Sequence, residues 1–357
     1  MNKILLYGAN GYTGSLIARL AVQLGLRPLL AGRNEEKIKP LAAYLNLEYR
    51  SLALSDTMTL ETELQDVVAV LHCAGPFQQT WKPMVTACLR TKTHYLDITG
   101  EWMVLEAIAA LDAEAKAAGV MLLPGVGFDV VPSDCLAAHL KVRMPAAQKL
   151  AIAFQMNADS SSLSGQLSRG TATTIVEGRS CLGMVRQNGV LTPVPAAWKT
   201  RTIDLGRGQV FTATLPWGDV STAYYSTGIP DIEVYTAVSP SLYRMMIASR
   251  YLGWFLSLPA VQNFQKRAIA LSPPGPTDLQ RQQGITLLWG EVEDKVGNKL
   301  ASRLQCPEGY TLTAMTAVTI LEKVLAGEVE IGFQTPSLAY GADLILSVDG
   351  VVREDIT

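Results

Sequence analysis

A chain of 357 residues with 48% hydrophobic and 17% charged side chains has material for two packed domains and the composition of an ordinary globular protein. Its 30 Lys and Arg against 32 Asp and Glu leave a formal charge of -2, which gives no overall attraction for nucleic acid. The five cysteines, Cys73, Cys88, Cys135, Cys181 and Cys306, have no metal-ligand spacing, which argues against structural zinc and a disulfide framework. No apolar run reaches the roughly 20 residues that span a bilayer as a helix, and "MNKILLYG" reads directly as a first strand, so a cytoplasmic location is expected.

The run Lys3 to Tyr7 is short and almost wholly apolar, the pattern of a strand buried on both faces of a parallel sheet. It ends in "YGANGYTG". From Thr13 the residues Leu16, Ile17, Leu20, Ala21 and Leu24 recur at helical spacing until Gly25. In such a strand–turn–helix, Gly8 permits the turn, Gly11 lets backbone approach a pyrophosphate and Gly14 lets helix and sheet pack closely. Asn10, Tyr12 and Thr13 complete this bed, and the helix N-terminus offers amides and the positive end of its dipole to the anion.

The second strand, in "RPLLAGRN", ends in Gly32, Arg33 and Asn34, with no acid where one would hold the 2′-hydroxyl of NAD. A guanidinium at Arg33 can pair with a 2′-phosphate and stack on adenine, so NADP(H) is the expected cofactor, with Asn34 beside it. The alternative is a solvated loop cation occupied by Glu35 or Glu36.

Strands and helices continue to alternate: helical signals over 35–44, "LEYRSLAL", a helix near 56–64, the apolar run Val67 to Cys73, "HYLDIT", an Ala-rich helix from Trp102 to Ala118, and "GVMLLPG". This predicts an α/β domain over 1–145 with a doubly wound parallel sheet, whose ligands sit at the carboxyl ends of the strands. In "CAGPF", Ala74, Gly75 and Pro76 are the expected wall against the cofactor's ribose and nicotinamide. Phe77 either faces the substrate or fills the core, and Cys73 has no base placed beside it. In "YLDITGEW", Asp97 and Tyr95 are candidate catalysts, set against a reading in which Asp97, Thr99 and Glu101 only cap a helix. In "PGVGFDVVPSD", Val126, Gly127 and Phe128 are expected on the nicotinamide side. Asp129 is a third candidate catalyst and Asp134 a first-turn dipole partner. His72, His94 and His139 form no distinctive pairing.

Beyond "KVRMPAAQK" the pattern changes to strands with antiparallel turns, predicting an α+β substrate and oligomerisation domain over 146–335 built on an antiparallel sheet. Arg169 and Thr171 can line its cleft, with Arg169 anchoring an anionic substrate group and Trp217 as a wall; the alternative is a helix cap with a solvated arginine. Ser241 to Ser272 contains no acid and carries Arg244, Arg250, Lys266 and Arg267 among apolar residues. It is read as an oligomer or partner contact, with homodimers in view, then as a cover for the cleft, then as a membrane-surface segment. The tail over 336–357 is read as able to return to the first domain.

Taken together, "GANGYTG", "AGRN", "CAGPF", "YLDITGE" and "PGVGFDVVPSD" resemble the saccharopine dehydrogenase-like oxidoreductases, a group that includes the trans-acting enoyl reductases of bacterial lipid synthesis. Farther on, "SRGTATTIVEG", "PWGDVSTAYYSTGIPDIEVY" and "PEGYTLTAMTAV" resemble the second domain of bacterial members. The resemblance implies a Rossmann domain joined to an α+β substrate domain. It also implies hydride transfer with NADP(H), and the leading expectation is transfer to or from a C=N, C=C or C=O bond of a small or acyl-linked substrate; no metal is expected. Saccharopine itself fits poorly, because the chain is short for its reductase and no arginine cluster suits that tricarboxylate. Enoyl reduction in trans for a lipid or polyketide assembly line, and a non-catalytic NADP(H)-binding redox sensor, are the alternatives.

Overall fold

In the computed structural model, which describes residues 3–156, 167–178, 183–256 and 258–356, the early apolar runs are the strands of one parallel sheet. The chain runs through β1 (Lys3–Tyr7), α1 (Tyr12–Gln23), β2 (Leu29–Gly32), α2 (Glu35–Leu45), β3 (Tyr49–Ser51), α3 (Thr57–Glu63) and β4 (Val67–His72). It continues through α4 (Phe77–Thr91), β5 (His94–Asp97), α5 (Trp102–Ala109), α6 (Asp112–Ala118) and β6 (Met121–Leu123). Burial on both faces explains the unbroken apolar character of β1, β2 and β4. The helices present one stripe to the sheet, as α1 does with Ile17, Ala18 and Ala21. The single helix expected over 102–118 is two. A new helix starts at Asp112, whose carboxylate accepts the backbone amide of Phe333.

The second unit begins within α7 (Val131–Arg143) and continues with β7 (Lys149–Gln155), α8 (Arg169–Gly178), β8 (Gly183–Gln187), β9 (Val190–Val194), β10 (Thr200–Asp204) and β11 (Gln209–Thr214). Then come α9 (Asp219–Thr227), β12 (Asp231–Ala237), α10 (Pro240–Leu256), α11 (Pro259–Leu271), α12 (Asp278–Gln283), β13 (Ile285–Glu293) and β14 (Lys299–Pro307). The sheet is antiparallel except for the parallel pair β7–β12. The β13–β14 hairpin turns through Gly297, with the Asp294 carboxylate accepting the amides of Val296 and Asn298.

The last elements are α13 (Gly309–Leu325), β15 (Gly332–Phe333), α14 (Pro336–Tyr340) and β16 (Val352–Ile356). They correct the expected boundaries of 145 and 335. Residues 310–340 belong to the first unit, where β15 pairs with β6 and completes the order β15-β6-β5-β4-β1-β2-β3. The tail does not return there: β16 extends the second sheet alongside β14, so that sheet reads β10-β11-β12-β7-β13-β14-β16. Asp355 on β16 fastens it by accepting from His139 Nε2 at 2.8 Å and Ser302 Oγ at 2.7 Å. Among the described residues no helix is long and apolar enough to cross a membrane, and no His, Cys, Asp and Glu cluster suits a metal ion. Cys181 lies outside the described residues; the other four cysteines form no disulfide.

Candidate functional site

The strand order of the first sheet reverses between β1 and β4, the place where open α/β sheets form a crevice at the carboxyl ends of their strands. Gly8 stands on that edge. Its φ of +82° lies in the left-handed region, and a Cβ there would meet the Ala74 amide nitrogen at 2.8 Å. Gly14 is required by packing, because a Cβ would stand 2.4 Å from the Gly8 carbonyl oxygen. Gly11 differs. It is the N-cap of α1 with an ordinary φ of -72°, and an added Cβ would meet only the Gly8 oxygen, at 3.2 Å. Gly11 is thus the least constrained of the three glycines, and the lack of a side chain there leaves the helix start open to a ligand.

Around this turn Asn10 is exposed, Thr13 half-buried, and the Tyr12 ring meets the Tyr310 ring edge-on with centroids 5.1 Å apart. Arg33, at the end of β2, is exposed and makes no hydrogen bond or ion pair with another described residue. Glu35, offered as its neutralising partner, instead accepts from the Tyr49 hydroxyl at 3.0 Å. Asn34 has a structural duty: its side-chain oxygen caps α2 by accepting the Lys37 amide. These residues form a cradle open at Gly11, with a cation at its far rim, and they fit a phosphorylated dinucleotide.

The second wall is the turn Ala74–Pro76, in which the Gly75–Pro76 peptide is cis. Two residues brace it: Thr80, which no sequence signal pointed to, and Glu101, expected only as a helix cap. The Thr80 hydroxyl donates to the Ala74 carbonyl at 2.7 Å and lies 3.0 Å from His72 Nε2. His72 is fully buried and its burial lowers the imidazole pKa to about 3, so the ring is neutral and donates to Thr80 from Nε2. Glu101 reaches the start of α4, its two carboxylate oxygens accepting the amides of Phe77 and Gln78 at 2.8 and 2.9 Å. Phe77 itself is a core residue, buried with Met84, Val85 and Tyr95, so of its two readings the core one holds and the substrate-facing one does not. Burial, with the Asp97 charge second, raises the Cys73 thiol well above its ordinary range, which disfavours a resting thiolate there.

Two of the three candidate catalysts are also corrected. Tyr95 is fully buried, and its hydroxyl donates to Asp97 at 2.7 Å. Asp97, equally buried, accepts the amides of Thr99 and Gly125 at 2.9 Å each, so it joins the ends of β5 and β6. Both carboxylate oxygens therefore hold neighbouring parts of the chain, and the group has no exposed surface. Its carboxyl pKa is about 6, with burial raising it against these hydrogen bonds.

Asp129 remains. It is half-buried over Gly100, where a Cβ would stand 2.7 Å from the Asp129 Cβ. Burial, with the nearby charge of Glu101 second, raises its carboxyl pKa to about 7. A carboxyl group that exchanges its proton near neutrality can serve as an acid or a base.

The expected nicotinamide-side residues Val126, Gly127 and Phe128 are struts. The Val126 amide donates to Asp97 O at 2.7 Å and its carbonyl accepts from Thr316 Oγ1 at 2.9 Å. The Phe128 amide donates to Thr313 Oγ1 at 3.0 Å. A Cβ on Gly127 would strike Thr313 Cγ2 at 2.8 Å, so close packing of α13 explains this glycine. Thr313 and Thr316 lie nearly 190 residues away in sequence, and no local signal links them to the loop.

The remaining candidates lie in the second unit and are used locally. Ser168 caps α8 by accepting the Thr171 amide, and Arg169 donates through Nε to the Ser272 carbonyl at 2.7 Å. The cap of the alternative reading is present, with Arg169 held by a carbonyl instead of only by solvent. Trp217 packs on Phe154, with ring centroids 4.8 Å apart.

Residues 4–123 match the family described as Saccharopine dehydrogenase NADP binding domain. Over 139 residues the chain is 38% identical to a trans-acting enoyl reductase of Mycobacterium leprae (strain TN) and 34% identical to one of Mycobacterium tuberculosis (strain ATCC 25618 / H37Rv). Each match covers 37% of this chain and spans about a third of the relative, 33% of its length. Among solved structures, the fold is similar to apo saccharopine dehydrogenase (L-Glu forming) from Saccharomyces cerevisiae, with a TM-score of 0.69 over 100% of both chains at 13% identity.

Proposed function

We propose that this chain, in which residues 4–123 form a saccharopine dehydrogenase NADP-binding domain, is an NADP(H)-dependent oxidoreductase acting on a C=N, C=C or C=O bond of a small or acyl-linked substrate. One observation carries the choice of NADP(H) over NAD(H): Arg33 stands exposed at the end of β2, beside the glycine turn, with no carboxylate paired to it. A 2′-phosphate is the anion a guanidinium there would accept bidentately, and an acid at the same place would repel it.

When bound, the cofactor supplies or accepts the hydride. The chain's own residues do the rest. Backbone at Gly8–Gly14 and the first turn of α1 bind the pyrophosphate, and the braced turn Ala74–Pro76 forms a wall with few side-chain atoms. Asp129, protonated near neutrality, gives a proton from its carboxyl oxygen to the atom that gains charge in reduction, and takes it back in oxidation.

A second, narrower reading is enoyl reduction in trans, which the 38% identity of the nucleotide-binding segment to a trans-acting enoyl reductase favours. Titration of the purified chain with NADPH and NADH, followed by screening imines, enoyl thioesters and amino acids at the NADPH absorbance, tests all of this. Tighter binding of NADH rejects the cofactor assignment. Consumption with enoyl thioesters alone selects the narrower reading. Tight NADPH binding with no consumption by any class leaves a redox sensor in place of an enzyme.

A further inference from the structure

The helices α10 and α11 carry apolar side chains on two faces. On the inner face of α10, Leu242, Tyr243, Met246 and Ile247 pack against Ala197, Ala213 and Val238. The residues at the opposite helical positions, Met245, Ala248, Tyr251, Leu252 and Phe255, are exposed and almost as apolar. Tyr251 is 76% exposed. In α11 no residue is fully buried, and Phe264 and Leu271 are 74% and 88% exposed on the face shared with Ala260 and Ala268. A helix that is apolar on its solvent side as well as its packed side has a further apolar surface to meet.

Charge identifies what that surface is. From Ser241 to Ser272 there is no Asp or Glu, but there are four cations, and Arg244 and Arg267 are exposed beside the apolar stripe. The whole chain is slightly acidic, so this positive stretch is a local segregation. A symmetric contact made through this segment alone would offer its arginines no carboxylate, because the segment contains none. An anionic bilayer satisfies both features at once: its acyl boundary takes the aromatic and aliphatic side chains, and its headgroups take the guanidinium groups. The helices have 17 and 13 residues, too short to span, and would lie in the plane of the interface.

We propose that the outer face of α10 and α11 seats on an anionic lipid bilayer, with Tyr251, Leu252, Phe255 and Phe264 entering the interface and Arg244 and Arg267 meeting lipid phosphates. The test is co-sedimentation of the full chain with vesicles of phosphatidylcholine alone and of phosphatidylcholine with phosphatidylglycerol. Binding is expected with the anionic vesicles and not with the neutral ones, weakening as salt is raised. Arg244→Gln with Arg267→Gln should weaken it about 25-fold, at about fivefold for each cation. Tyr251→Ser with Phe264→Ser should abolish it, with the thermal transition retained because both side chains already face solvent; the arginine pair provides the test should that variant fold poorly. No pelleting with anionic vesicles, or equal pelleting with both kinds, overturns the proposal. Sedimentation velocity covers the other occupant: a dimer that Tyr251→Ser with Phe264→Ser converts to monomer shows that a second copy covers this face and likewise overturns it.

Discussion

Gly14→Ala and Gly11→Ala separate the packing role of the glycine turn from its ligand role. A methyl at position 14 would stand 2.4 Å from the Gly8 oxygen and 3.0 Å from Ala9 Cα, and backbone cannot swing aside as a flexible side chain can. The start of α1 must therefore retreat by about half an ångström or more, which as overpacking costs about 1–3 kcal/mol. For a unit of this size, about 2 kcal/mol corresponds to a fall in Tm of roughly 4–8 °C. A methyl at position 11 meets one backbone oxygen at 3.2 Å, which must give by a few tenths of an ångström, in a backbone conformation open to any residue, so with the cap preference of glycine over alanine its cost is about 1 kcal/mol. That methyl nonetheless occupies the approach to the first-turn amides, and NADPH affinity should fall at least tenfold, or about 1.4 kcal/mol. Thermal unfolding and NADPH fluorescence titration on both variants give the two numbers. A Gly11→Ala chain that binds NADPH as tightly as wild type would refute the assignment of this turn to the pyrophosphate. An unchanged Tm for Gly14→Ala would refute the packing argument.

Arg33→Ala should weaken NADPH about 10–100-fold, the loss of a charge-assisted contact, and change NADH little, as read by parallel titrations. Asp129→Asn should lower kcat about 10²–10⁴-fold with NADPH affinity retained, and wild-type reduction should decline as pH rises through about 7, where Asp129 loses its proton. The same group gives a stability signature. Because its folded pKa of about 7 lies above the ordinary 3.8, the folded chain holds a proton that the unfolded chain releases, so this group's contribution is full below 3.8 and lost as pH rises to about 7. Asp129→Asn should therefore stabilise the chain more at about pH 8 than at about pH 5, by roughly 2 kcal/mol in urea unfolding. Asp97→Ala leaves two amides and a buried hydroxyl without their acceptor and should cost about 3–5 kcal/mol in the same assay. Glu101→Gln removes a negative neighbour, so the alkaline limb of the kcat profile should move to lower pH.

What was legible in the sequence followed local rules. The glycines at 8 and 14 could be placed because a left-handed turn and a close helix approach each demand that residue at a fixed distance from a strand end. Arg33 could be placed because it directly follows an apolar strand. The misreadings came from contacts that sequence spacing does not encode. Alternation along "HYLD" cannot tell whether Asp97 points to solvent or to two amides in different loops. Glu101 precedes α5 and looks like its cap, yet its side chain is long enough to reach the start of α4 instead. The strand β15 has two residues and therefore no period, and β16, "VREDI", is mostly exposed and charged like a loop. Thr313 and Thr316 look like small residues on an ordinary amphipathic helix, and their role is set by a loop far earlier in the chain.

The braces found only in the structure bear on where an anion can bind. Several helices begin along the carboxyl edge of the first sheet, each with the positive end of its dipole outward. The start of α2 is capped by the Asn34 side chain and carries Glu35 and Glu36 in its first turn. The start of α3 is capped by Asp56. The start of α4 is closed by both oxygens of Glu101, and α5 begins at Glu101 itself. Only α1 among these begins with a glycine, with no side-chain cap and no acid in its first turn. Carboxylates stand at the starts of α2, α3 and α4 and would repel a second anion there. On the proposed function, a pyrophosphate would thus be directed to α1 as much by the acids along this edge as by the glycines that open the turn. The same argument gives Glu101 two duties: it closes α4 to phosphate, and its charge helps keep a proton on Asp129.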